Sequence, residues 1–339
     1  RSGACYTFFM TNLSDVARLI LATGKGILAA DETVPHADTY LESHGAQKGE
    51  ASRRAYRDML LDTPGLDAYL TGVILHEETL KQDALNGTPF PELLRERGII
   101  PGIKVDQGVE PMADSPDEMI TKGLLGLPER LREYHENYGA GFTKWRAAIV
   151  IDGDRLPTAG CIVENAKRLA TYACEVQRAG MVPILEPEVL YAGKHSRLRC
   201  RAVVETTMKV VFDTLGEQCA DLGGVILKTS MVMSGSESGR LDTPEEVAED
   251  TLGALMNQVP KDIGGIIFLS GGQTPEQATL NLAAITKLAK EKGAPWPLTF
   301  SFARALQEEA ITAWAGKDEN VPAAREAFLT RLTSVAAAA

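Results

Sequence analysis

Charged side chains recur within or at the ends of short apolar runs, where an ordinary core holds none. Side chains alternate faces along a strand. Lys104 and Asp106 therefore share a face in Gly102-Ile-Lys-Val-Asp106, as do Lys144 and Arg146 in Phe142-Thr-Lys-Trp-Arg146, and Glu186 and Glu188 in Ile184-Leu-Glu-Pro-Glu188. Asp31 ends the first such run, Lys228 the sixth and Ser270 the seventh. One charge at a strand end is commonly solvated or paired for structural reasons. Six at corresponding positions (Asp31, Lys104, Lys144, Arg146, Glu186, Lys228) point instead to a site. A lysine attacks only as the free amine, and cations crowded into a partly dry pocket disfavour the ammonium form. Lys228 follows the apolar run Gly224-Val-Ile-Leu and is placed to face Lys144, as expected of a lysine that forms a Schiff base with a ketone. Glu186 is the natural acid/base for the proton transfers of imine formation, with Glu188 beside it. A protonated imine is an electron sink, so a neighbouring C–C bond can break.

Two further features suit an anionic substrate. Leu269-Ser-Gly-Gly272 follows a strand and leads to a helix starting near Thr274. Glycine lets backbone amides approach an anion, and a helix N-terminus attracts one. Arg304 comes three residues after the eighth strand and would lie beside that loop in a closed barrel, where phosphate is often bound.

Other chemistries are disfavoured. The histidines (His36, His44, His76, His135, His195) form no i,i+4 pair, and the cysteines (Cys5, Cys161, Cys174, Cys200, Cys219) are never closer than 13 residues. Neither set has metal-ligand spacing, so no metal and no cofactor are expected. An odd cysteine count without a disulfide framework indicates a reducing compartment. With 35 basic and 46 acidic residues the net charge is −11, which argues against nucleic-acid binding. No apolar run approaches the roughly 20 residues that span a bilayer, and no signal peptide is apparent.

The elements that must position these groups alternate along the whole chain. Strands are expected at 26–31, 72–75, 102–106, 142–151, 182–187, 224–228, 265–271 and 297–301. Their starts lie 30 to 46 residues apart, enough for a strand, a helix and two loops. Ser115-Pro-Asp-Glu118, Thr243-Pro-Glu-Glu246 and Thr274-Pro-Glu-Gln277 each read as a capped helix start, and Gly139, Gly180 and Gly293 as helix ends. Apolar Ala278, Leu282, Ile285, Leu288 and Ala289 give the helix after Thr274 one buried stripe. Eight strand–helix units without a composition break predict an α/β protein, a single (β/α)8 TIM barrel over residues 1–339 with short irregular segments at both termini. An open doubly wound sheet is the alternative, but Gly24-Lys-Gly26 precedes the first strand instead of following it. In a parallel barrel all strand C-termini meet at one end, which would gather the six charged residues.

The chain resembles class I fructose-1,6-bisphosphate aldolase. The matching runs are Gly24-Lys-Gly-Ile-Leu-Ala-Ala-Asp-Glu32, Gly98-Ile-Ile-Pro-Gly-Ile-Lys-Val-Asp106, Lys144-Trp-Arg146, Val182-Pro-Ile-Leu-Glu-Pro-Glu188, Phe268-Leu-Ser-Gly-Gly-Gln273 and Leu298-Thr-Phe-Ser-Phe-Ala-Arg-Ala-Leu306. The resemblance implies reversible cleavage of the bisphosphate to dihydroxyacetone phosphate and glyceraldehyde 3-phosphate, without a metal. It implies Lys228 as the Schiff-base lysine, Glu186 as the acid/base that dehydrates the carbinolamine, and Asp31 as the group that handles the C4 hydroxyl. Lys144 would assist and Glu188 support. Ser270, Gly271, Gly272 and Arg304 match the C1-phosphate site, Lys104 and Arg146 match basic residues near the second phosphate, and Thr33 joins the substrate-binding set. The expected partners are phosphorylated ketoses and trioses, with no nucleic acid and no membrane. A cytoplasmic homotetramer is implied, a plastid or other organelle being left open.

Three departures qualify these expectations. Gly223-Gly-Val225 and Thr229-Ser230 flank Lys228 where the family usually has Glu-Gly-Thr and Pro-Asn. After Asp31, Thr33-Val-Pro-His36 and Thr39-Tyr40 replace a Ser/Thr-Gly-Ser/Thr turn and a Lys-Arg pair, which leaves open the choice between bisphosphate and 1-phosphate ketose. The sequence also stops before the family's tail tyrosine, so slower deprotonation at C3 of the bound triose is expected. A transaldolase-like or monophosphate aldolase, and a non-catalytic barrel scaffold, are the competing readings.

Overall fold

The computed structural model describes residues 12–218 and 220–339; segment 1–10, Cys5 and Cys219 lie outside the described residues. The strands are β1 (Gly26–Ala30), β2 (Leu70–Leu75), β3 (Ile100–Lys104), β4 (Val109–Met112), β5 (Ser115–Thr121), β6 (Phe142–Ile149), β7 (Val182–Val189), β8 (Ile226–Thr229), β9 (Gly265–Phe268) and β10 (Leu298–Phe302). Eight of them close in the order β1-β10-β9-β8-β7-β6-β3-β2. All the barrel pairs are parallel, and β1 pairs with both β10 and β2, which excludes the open sheet. The result is a (β/α)8 barrel with helices between the strands.

Each barrel strand has two faces packed against a core. Outward residues such as Leu28, Ile103, Trp145, Leu185 and Leu227 belong to the large core under the helices. Inward residues Ile27, Ile74, Phe142, Ile184, Ile226 and Ile267 form a second core inside the barrel. Ala17 and Ile20 of the helix Leu13–Ile20 join that inner core. The Ile20 carbonyl accepts from Thr71 Oγ1 at 2.5 Å, beside the start of β2. This helix therefore closes the N-terminal mouth and leaves the C-terminal mouth for chemistry.

Helix punctuation follows the expected residues. Thr243 and Glu246 form a reciprocal capping box, Thr274 caps Gln277 N, and Gly139 and Gly293 end helices with φ of 67° and 66°. The segment from Ser115 is a correction: it is β5, hairpinned against β4, and not a helix. The glutamate that a local capping box would have used is buried. Glu118 accepts from Thr158 N at 2.8 Å and Thr158 Oγ1 at 2.6 Å, stabilising the start of a different helix, Ala159–Arg178. A long-range partner thus outweighs a local signal.

Both cores depend on glycines facing aromatic rings. Gly26 lies under Phe300 of the outer core, and Gly72 and Gly102 lie under Phe142 of the inner one. A methyl at Gly26 would stand 2.6 Å from three Phe300 ring carbons, and at Gly72 2.8 Å from the Phe142 ring. Gly26→Ala should therefore lower unfolding stability by about 1–3 kcal/mol through overpacking. Urea denaturation checks this, and an unchanged midpoint would contradict the packing described.

Candidate active site

The strand register brings the charged residues together. Lys104 of β3 pairs with Lys144 of β6, and Arg146 and Ala148 of β6 pair with Glu186 and Glu188 of β7. Lys228 lies on β8, opposite Ile267 of β9, and Asp31 follows β1 directly. At this mouth is a cavity of about 500 Å³. All five residues expected to carry chemistry border it, as do all seven expected to bind substrate.

Glu186 lies at the centre of the charge arrangement. Its Oε1 is 3.0 Å from Lys228 Nζ, and its Oε2 is 3.0 Å from Lys144 Nζ. The contact to Oε2 is an ion pair without hydrogen-bond alignment. Lys144 Nζ also meets Asp31 Oδ2 at 2.6 Å. Lys144, Glu186 and Lys228 are each no more than 4% exposed. Sequence reasoning surrounded Lys228 with cations; the structure places a carboxylate between Lys228 and Lys144. Two lysines in so dry a pocket require such a countercharge.

These contacts set the protonation states. Burial pushes the Glu186 pKa up and is the largest single influence, but Lys144, Lys228 and Arg146 together bring it below its ordinary value. For Asp31, burial again pushes upward, and Lys144 and Lys228 outweigh it, lowering the pKa from 3.8 to about 2. Burial opposes the charge on Lys144, yet Asp31, Glu186 and Asp106 push its pKa upward. The free site thus holds two ionised carboxylates on one ammonium, able to accept protons from bound substrate.

At one end, Ser270, Gly271 and Gly272 turn sharply after β9, with left-handed φ of 60° and 94° at the glycines. A Cβ on Gly272 would lie 3.8 Å from Arg304 Nη2, so loop and guanidinium face each other. Exposed amides beside a guanidinium make an anion cradle. At the other end, Lys104 Nζ bonds Asp106 Oδ1 at 2.5 Å, and Arg146 Nε bonds Glu188 Oε2 at 2.5 Å. Thr33 Oγ1 and His36 Nδ1 are 2.8 Å apart at the cavity wall.

Sequence reasoning missed Ser301 and Tyr191, which also border the cavity. Ser301 Oγ is buried with no hydrogen-bond partner among the described residues. Its sequence signal was its place at the end of the expected strand 297–301, and in the structure it pairs with inward-facing Ile27 across β10 and β1. Tyr191 follows β7 in a loop, and nothing in the sequence marks it.

The sequence matches the class-I fructose-bisphosphate aldolase family over residues 12–339. The chain belongs to this family. It is 48% identical over 323 residues to cytosolic fructose-bisphosphate aldolase 5 of Arabidopsis thaliana, covering 95% of this chain and 89% of that protein. A probable class 1 fructose-bisphosphate aldolase of Xanthomonas axonopodis pv. citri is 46% identical over 303 residues, 89% of each chain. Among solved structures, the Plasmodium falciparum aldolase in a ternary complex with TRAP and a small-molecule inhibitor superposes with a TM-score of 0.93 at 41% identity. That match covers 96% of this chain and 93% of the other. The chain is therefore an enzyme of the aldolase class. Among the described residues no helix is long and apolar enough to cross a membrane.

In this aldolase-family site the lowered pKa of Asp31 is a stabilising term with a definite pH window. It is present above the unfolded value of 3.8 and lost as pH falls through about 2. The difference in unfolding free energy between the protein and Asp31→Asn should narrow by roughly 2 kcal/mol between about pH 5 and pH 2. Urea titrations across that range measure it, and a constant difference would contradict the ion pair.

Proposed function

We propose that this chain, one barrel domain, reversibly cleaves fructose 1,6-bisphosphate to dihydroxyacetone phosphate and glyceraldehyde 3-phosphate through an imine on Lys228, without a metal. The observation that carries this reading is the buried contact of Lys228 Nζ with Glu186 Oε1 at 3.0 Å, with Lys144 on the other oxygen. Transfer of a proton from Lys228 to Glu186 frees the amine to attack the ketose carbonyl. Glu186 returns that proton to the carbinolamine hydroxyl, which leaves as water, and a protonated imine remains. The C4 hydroxyl gives its proton to Asp31, the C3–C4 bond breaks, and its electron pair is taken up by the imine as an enamine. Lys144, 2.6 Å from Asp31, balances charge throughout this transfer. Glu188 holds Arg146 at the rim.

The substrate's C1 phosphate fits the loop of Ser270, Gly271 and Gly272 with Arg304. Lys104, Arg146 and Thr33 border the far end, where a second phosphate would compete with Asp106 and Glu188 for the two cations. The metal-independent reading rests on the chemistry of the lysine and carboxylates, which needs no Lewis acid. A cytoplasmic homotetramer accompanies this proposal by family resemblance.

Sodium borohydride with dihydroxyacetone phosphate should attach the triose to the peptide containing Lys228, as read by mass spectrometry. Lys228→Met should abolish both labelling and turnover while leaving the circular dichroism spectrum intact. Normal turnover in that variant would remove Lys228 from the mechanism. Glu186→Gln should slow kcat by about 10²–10⁴-fold. Cleavage should persist in EDTA, and its loss there would overturn the metal-independent step.

A further inference from the structure

Four of the five Lys and Arg side chains bordering the catalytic cavity are held by carboxylates: Lys104 by Asp106, Arg146 by Glu188, Lys144 by Asp31 and Glu186, and Lys228 by Glu186. The fifth, Arg304, has no ion pair among the described residues, although two acids are placed to supply one. Glu32 borders both the cavity and the adjoining recess that Arg304 borders. Its Oε2 is taken by Nη2 of buried Arg57 at 2.5 Å, and Arg57 has no other ion pair among the described residues. Glu308 lies four residues beyond Arg304 in the helix Arg304–Trp314, the spacing at which opposite charges meet on a helix surface. The local sequence therefore favours an Arg304–Glu308 pair. It does not form.

The reason lies in the helix Val34–Ser43 and the residue that follows it. Tyr40 donates from its hydroxyl to Glu308 Oε2 at 2.8 Å, and His44 Nε2 lies 3.2 Å from Glu308 Oε1. Both carboxylate oxygens are thus engaged from the far side. His44 is itself fixed: its Nδ1 is 2.8 Å from the Tyr40 carbonyl, and the two rings meet edge-on with centroids 4.6 Å apart. Burial and then Glu308 push the Tyr40 pKa up, so the phenol keeps the proton it donates. Tyr40 and Arg304 line the same recess, so the tyrosine and the guanidinium compete for Glu308 at close range. With Glu308 taken, Arg304 faces the turn at Gly272, its Nη2 3.8 Å from where a Cβ there would stand.

We propose that Tyr40 and His44 are positioning residues, which hold Glu308 away from Arg304 and so keep that guanidinium open to an anion at the Ser270–Gly272 turn. The inference rests on the aldolase reading and adds to it two residues that act only through Glu308. The Glu308 side chain is 43% exposed, so a released carboxylate is partly screened and the effect is modest. In Tyr40→Phe/His44→Leu the KM for fructose 1,6-bisphosphate should rise by about threefold with kcat little changed. The dissociation constant of inorganic phosphate, read by calorimetry, should rise with it. Adding Glu308→Gln should reverse both changes, a rescue that loosened packing would not show. Glu308→Gln alone should leave KM unchanged or lower. Tyr40→Phe by itself keeps the ring against His44, should move KM in the same direction, and serves if the double variant fails to fold. A KM unmoved in the folded variants, a rise that Glu308→Gln does not reverse, or a rise in Glu308→Gln alone would overturn this inference and leave the aldolase reading standing. A protein that binds phosphate but does not cleave the bisphosphate would overturn the aldolase reading, and the order of phosphate affinities among the variants would still decide the roles of Tyr40 and His44.

Discussion

A single carboxylate holds the catalytic mouth together. Glu186 meets Lys144 with one oxygen and Lys228 with the other, in a pocket almost closed to water. Removing charges from water costs several kcal/mol per ion, recovered only where opposite charges meet in good geometry. Without Glu186, among the described residues, Lys228 would have no ion pair and Lys144 only Asp31. The two lysines and their carboxylates are thus one electrostatic unit, and the proton transfers proposed for the site run within it.

That unit needs the rigidity of the barrel. Lys144 and Glu186 lie on adjacent strands β6 and β7, whose register is continuous from Phe142 to Ile149, while Lys228 and Asp31 come from elsewhere around the ring. Two packed cores hold these strand ends in place: Ile, Val and Phe side chains within the barrel, and the larger layer beneath the helices. The fold fixes positions, and the paired charges fix orientations.

The same economy of charge shapes the rim. Arg146 and Lys104 are tied to carboxylates, so the mouth is more nearly neutral than its basic residues suggest.

Much of this was legible in the chain. Strand alternation alone placed Lys144 with Arg146 and Glu186 with Glu188 on inward faces, and the caps at Thr243 and Thr274 marked true helix starts. The equivalent pattern at Ser115 failed, because Glu118 finds Thr158, 40 residues away, and a local motif has no knowledge of that partner. Tyr191 was invisible for a similar reason: a loop side chain acquires a role only from what folds against it. The sequence by itself determined the period, the order of the elements and which residues point inward, since these depend on neighbours one to four positions apart. Only the tertiary structure decided which cation meets which carboxylate and that Arg304 has no ion pair among the described residues. Those outcomes depend on distances of a few ångströms between residues as far apart in sequence as Asp31 and Lys144, and no local pattern encodes them.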